Sequence, residues 1–119
     1  MRGLAYPKPE RKKKKKRQQG QQAVRQHPGT CYLCQVMDGD CSCKMTELHH
    51  IFGGPFRTRS HEYGLVVRLC PYHHRTGGRD SVHGNYEIMD RMHRVGQIMF
   101  EETHTREEFV ELFGRNYLI

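Results

Sequence analysis

Two pairs of residues in this chain have the spacing of metal ligands. Cys31 and Cys34 form a C-x2-C, and Cys70 and His73 form a C-x2-H further on. Two such halves make one tetrahedral zinc site, because ligands three positions apart on a tight turn can both reach a single ion. Cys41 and Cys43 follow the turn-forming Asp38-Gly39-Asp40, so the purely local set Cys31, Cys34, Cys41 and Cys43 is the rival. The cross-linked Cys3His set is favoured, since it ties the first loop to a later helix start, where a thin core most needs a staple. Cys41 and Cys43 are then spare thiols. The second capable group is imidazole: "ELHHIFGG" over residues 47–54, then His74 and His83. Neighbours on a strand point to opposite faces, so His49 and His50 cannot share one task.

These residues need elements to hold them. "MTELHHIF" reads as a strand, and the β-branched "LVVRLC" as a second. Between them "GGPFRTRSHEYG" reads as a loop, punctuated by Gly53, Gly54, Pro55 and Gly64. Pro71 suits the first position of a short helix on "PYHHRT", which Gly77-Gly78 would stop. After a further loop, Asn85 is a candidate N-cap for a helix of about 86–101, with Ile88, Met92, Val95 and Met99 as its apolar face. Thr105 and Glu108 have capping-box spacing ahead of "REEFVELF", Gly114 closes that helix, and "RNYLI" is expected to fold back.

Charge divides the chain in two. Residues 1–29 carry ten Lys/Arg against one acid, Glu10, a balance of +9; residues 30–119 carry ten against twelve, a balance of −2. The overall +7 belongs to the first segment alone. Its run "KPERKKKKKRQQGQQ" has too few apolar groups to offset the entropy of ordering, so residues 1–29 read as a disordered Lys/Arg-rich tail and 30–119 as one α+β domain. Some ninety residues without Trp make a marginal core, which again argues for a structural metal. No secretory signal and no membrane-length apolar stretch can be read, which points away from a membrane and toward a reducing compartment. An odd count of five Cys agrees with metal ligation over disulfides.

A strand bearing "ELHHI", a loop, then "VVRLCPYHH" running from strand to helix resembles the HNH endonucleases, the ββα-metal or His-Me finger nucleases, over about residues 31–83. The resemblance implies a small ββα-metal (treble-clef) domain with a structural zinc and two C-terminal packing helices. It also implies that His49 binds a divalent ion (Mg2+, Mn2+ or Zn2+), that His50 is the general base, and that His74 is a second ligand, with His83 as a third. The chemistry is coherent: a neutral imidazole near its working pKa takes a proton from water while a nitrogen-held ion stabilises the charge on phosphate. Two departures stand out. No Asn lies near Leu65, where the family's middle Asn would tie the loop, so the loop must be held another way. His83 follows His74 by nine residues, across two glycines, and not by one helical turn. From Cys31 to the C-terminus the chain is also similar to small HNH-type proteins of phages and prophages, some of them recombination-associated. That implies a DNA substrate in the cytoplasm of a bacterial host, with a recombination protein or a second copy of the chain as partner.

The basic residues complete the reading. Lys12, Lys13, Lys14, Lys15, Lys16 and Arg17 would bind phosphates without sequence preference, and Arg57, Arg59 and Arg75 lie in or beside the proposed site. Glu47, two positions before His49, shares its face and could orient a histidine. His61 reads as an exposed loop residue, His27 as solvated, and His93 and His104 as surface or cap residues. The competing class is a zinc-stabilised DNA-binding module without catalysis, and His50 separates the two, since a purely structural module has no use for an unliganded imidazole beside a metal.

Overall fold

Two short β-rich segments meet first. β1 (Glu47–His50) and β2 (Val66–Leu69) pair antiparallel, with Glu47 opposite Leu69, Leu48 opposite Arg68, His49 opposite Val67 and His50 opposite Val66. The computed structural model describes residues 22–119. α1 (Tyr32–Asp38) precedes this two-stranded sheet. A 3-10 turn (Gly54–Phe56) and α2 (Arg57–Glu62) connect its strands. After β2 come a wide π-type turn (Tyr72–Thr76), a 3-10 turn (Gly78–Asp80), and the two longest helices among the described residues, α3 (Tyr86–Phe100) and α4 (Arg106–Phe113). The whole is a small α+β unit.

Three expectations are corrected. The folded unit begins before Pro28–Gly29: Ala23 and Val24 are buried in the core, the Ala23 N–H donates to Gly64 O at 2.7 Å, and the Gln26 amide bonds both backbone groups of Arg68. Residues 22–29 are therefore part of the domain; the basic run Lys12–Arg17 lies outside the described residues. The Cys31–Cys34 segment is helical: Cys31 is the N-cap of α1, its sulfur accepts the Cys34 N–H, and Gly39 ends the helix in the left-handed region. The expected loop between the strands contains α2. Its glycines and proline mark the entry and exit of that helix, and the six polar residues Arg57–Glu62 offer no apolar period.

The C-terminal half follows its sequence signals closely. Asn85 caps α3 by accepting the Glu87 N–H, and Thr105 and Glu108 form the capping box of α4. Met92 is fully buried, while Ile88, Val95 and Met99 pack at the edge of the core. α3 lies close on the end of β1 because position 96 has no side chain: a Cβ there would come within 2.8 Å of Phe52 and 2.9 Å of Ile51. Phe52 in turn meets Phe109 and Phe113 of α4. The last residues fold back as expected, with buried Gln97 accepting the Tyr117 N–H at 2.7 Å and donating to Asn116 at 2.9 Å. Among the described residues no helix is long and apolar enough to cross a membrane.

Candidate metal centres

Helix α1 and the turn after β2 converge on the first centre. Cys31, Cys34, Cys70 and His73 are all buried and present one ligand atom each to a common point. Zinc bond lengths of about 2.3 Å to sulfur and about 2.0 Å to nitrogen set tetrahedral edges of roughly 3.8 Å between sulfurs and roughly 3.5 Å from sulfur to nitrogen. Here the Cys34 and Cys70 sulfurs are 3.9 Å apart, and His73 Nδ1 lies 3.8, 3.4 and 3.5 Å from the sulfurs of Cys31, Cys34 and Cys70. The donor set and its size both suit zinc. Cys41 and Cys43 are exposed and stand apart, so the local four-cysteine set is not assembled. Lys44 adds a contact that the sequence did not announce: its ammonium donates to Cys34 Sγ at 3.2 Å and to Asp40 at 2.9 Å. Burial pushes the Cys34 thiol up to about 11, with the Lys44 contact working against that shift.

The second centre is built from β1 and the segment after β2. His49, His74 and His83 bring one ring nitrogen each within 4.8 Å of one another, and their ring centroids are 4.9–5.3 Å apart. His49 is buried at 3 % exposure, and its Nε2 has no hydrogen-bond partner. A buried, unpartnered nitrogen is costly unless something bonds it, and a cation held by three imidazoles would. Burial, followed by the neighbouring His74 and His83, lowers the His49 pKa to about 3, so the ring is neutral and its lone pair available throughout the ordinary pH range.

The late position of His83 is explained by the loop that carries it. Val82 N–H donates to His73 O at 2.8 Å and His83 N–H to His74 O at 3.3 Å, so the chain doubles back along the turn it has just left. Buried Ser81 folds the loop by donating to Gly78 O and accepting the Gly84 N–H. Gly84 is required for closeness: a Cβ there would lie 2.2 Å from Gly78 O. Glu47 shares the His49 face and accepts from His74 Nδ1 at 2.7 Å, which leaves His74 Nε2 for the centre. Arg75 grips the same carboxylate with two N–H groups, so its cation is paired with Glu47.

His50 faces the other side of the strand. Its Nε2 lies 3.3 Å from His61 Nδ1, and Arg57 Nε donates to its Nδ1 at 3.5 Å. Burial, then Arg57 and His61, lowers its pKa and favours the neutral ring. Arg59 is not beside this group; its guanidinium donates to Leu112 O and ties α2 to α4. Ser60 anchors the same helix from below. It is fully buried, accepts the Phe52 N–H at 3.1 Å and donates to Leu65 O at 2.6 Å, which is how the loop is held without an Asn. His61, read as an exposed loop residue, is half-buried on α2 against His50; the Arg57-x3-His61 spacing would have revealed it had the helix been recognised. His93 and His104 are likewise packed, stacked on Phe52 and Phe100. His27 is exposed.

No known family, curated protein or solved structure matches this chain.

Proposed function

We propose that this protein is a metal-dependent DNA endonuclease of the HNH (ββα-metal, His-Me finger) type, with the treble-clef zinc and the phage or prophage setting that such proteins have. The observation that carries the reading is the convergence of His49, His74 and His83, with a buried ring nitrogen of His49 left unpartnered, while His50 on the next strand position stays outside the cluster. His49, His74 and His83 would hold a divalent ion. Such an ion, when bound, supplies positive charge for the pentacovalent phosphate and the leaving O3′. Three imidazole nitrogens favour Zn2+ over Mg2+ and Mn2+, which suit oxygen ligands better. His50 is the base: as a neutral imidazole it accepts a proton from the attacking water. Arg57 stands beside it, where a guanidinium can bind a phosphate oxygen. The four buried ligands of the zinc centre fasten α1 to the turn that carries His74. The basic N-terminal run would add affinity for any duplex, steeply dependent on salt.

One active centre per chain implies nicking, with double-strand cuts requiring a second copy. The test is relaxation of supercoiled plasmid by the full chain with Mn2+, Zn2+, Mg2+ or EDTA, alongside His50→Ala. The reading expects metal-dependent nicking that is lost in His50→Ala, with zinc content and thermal unfolding unchanged. A protein that shifts DNA at low salt but never nicks, with or without the substitution, would make this a DNA-binding module.

A further inference from the structure

Helix α2 presents two side chains to His50, not one. Arg57 and His61 are four residues apart, the separation that places them on one helix face. They reach the two ring nitrogens of His50 separately, Arg57 at Nδ1 and His61 at Nε2. A guanidinium has donors and no acceptor. The Nδ1 that it faces is therefore the lone-pair nitrogen, and the single proton of a neutral His50 ring sits on Nε2. That N–H then points at His61 Nδ1, which must be the acceptor, with the His61 proton on its own Nε2.

We propose that His61 is a positioning residue for His50: by accepting its Nε2–H, His61 fixes the tautomer that keeps a lone pair, not an N–H, on Nδ1, which can take a proton from water once Arg57 leaves its long 3.5 Å contact for a phosphate oxygen. This rests on the reading of His50 as the base. The platform is firm, because buried Ser60 ties α2 to Phe52 and Leu65, and Arg59 ties it to Leu112. A second cation bridging His50 and His61 is the less favourable account of the same contact. It would have only two nitrogen ligands, and the Arg57 guanidinium would stand next to it. His61 lies outside both metal clusters.

The tautomer can be read without DNA. Full-length, zinc-loaded protein labelled with 15N-histidine is examined by long-range proton–nitrogen NMR at neutral pH, with the His50 signals assigned from a His50→Gln sample. The wild type should carry its proton on Nε2. His61→Leu should give a mixture of tautomers, while His61→Asn, whose Oδ1 can stand where Nδ1 stood, should keep the single form. In nicking assays His61→Leu should lower kcat about 10- to 100-fold with little change in KM, and His61→Asn should recover most of it. Zinc content and unfolding temperature serve as checks that each variant folds. If no variant nicks DNA but the tautomer still follows residue 61, the positioning stands and the nuclease reading falls. If nicking needs His50 while tautomer and kcat ignore His61→Leu, the positioning is overturned and the nuclease reading survives.

Discussion

The Glu47 carboxylate accepts from His74 Nδ1 at 2.7 Å while Arg75 closes on it from the other side, so a strand residue sets the ring orientation of a histidine 27 positions away. Hydrogen bonds from Arg75 first, and His74 second, hold the Glu47 carboxyl at about 2, below its ordinary 4.5. The sign follows: with the folded pKa depressed, the stabilisation is complete above about 4.5 and is lost as pH falls toward 2. Through the neutral range Glu47 is a fixed anion. Glu47→Gln removes the charge but keeps the shape. Calorimetric titration with Mn2+ or Zn2+ should show metal affinity at the histidine centre reduced about 10- to 100-fold. Unchanged affinity would mean that Glu47 serves only Arg75.

His49 supports a test of opposite sign in two conditions. Its Nε2 is buried and unpartnered, a burden of about 1–3 kcal/mol on the metal-free fold. His49→Leu removes that atom at similar volume. Before any metal is added to the histidine centre, the variant should unfold at the same or a higher temperature than the wild type. Added Mn2+ or Zn2+ should then raise the wild-type Tm by mass action and leave the variant unmoved. A variant that is less stable before metal addition, and still responds to metal, would remove His49 from the centre.

Zinc binding at the Cys31, Cys34, Cys70 and His73 cluster predicts a separation between cysteines. Cys31, Cys34 and Cys70 lie in the buried cluster and Cys41 and Cys43 outside it. Stripping metal with a strong chelator should abolish cooperative unfolding, as should Cys34→Ser, because ligand binding and folding are one process in so small a core. Cys41→Ser with Cys43→Ser should change neither zinc content nor Tm. Since burial holds the free Cys34 thiol up at about 11, zinc must displace its proton at pH 7. Zinc affinity should rise with pH, and calorimetry in buffers of different ionisation enthalpy should register proton release.

How much could be read beforehand depends on where each signal lives. The caps of α3 and α4 were legible because Asn85, Thr105 and Glu108 act within three residues of themselves. The cross-linked cysteine set was legible as two halves of known spacing, although nothing local chose Cys70 and His73 over Cys41 and Cys43. His83 was harder: its approach depends on backbone bonds from Val82 and His83 to a turn nine residues back, and on the tight packing at Gly84. His61 was missed because α2 has only one buried side chain, Ser60, and so shows no apolar period. The early start of the fold was missed for a similar reason, since Ala23 and Val24 are two small apolar residues at the end of a strongly polar run.

Ser60 gives the last expectation. It is buried between the strands and serves both sides of their connection at once, accepting the Phe52 N–H and donating to Leu65 O. Ser60→Ala would leave the Phe52 N–H buried without a partner, while Leu65 O keeps its bond from the Ile51 N–H at 3.0 Å. One orphaned donor costs about 1–3 kcal/mol, measurable as a lower midpoint in urea with an unchanged slope. Because α2 carries Arg57 and His61 to His50, the same substitution should loosen that contact and lower nicking more than it lowers zinc content. The four candidate zinc ligands lie on α1 and just after β2, while the Ser60 hydroxyl bonds Phe52 and Leu65. A Ser60→Ala protein with full stability and full nicking would mean that the helix between the strands is positioned by Arg59 and its own backbone alone.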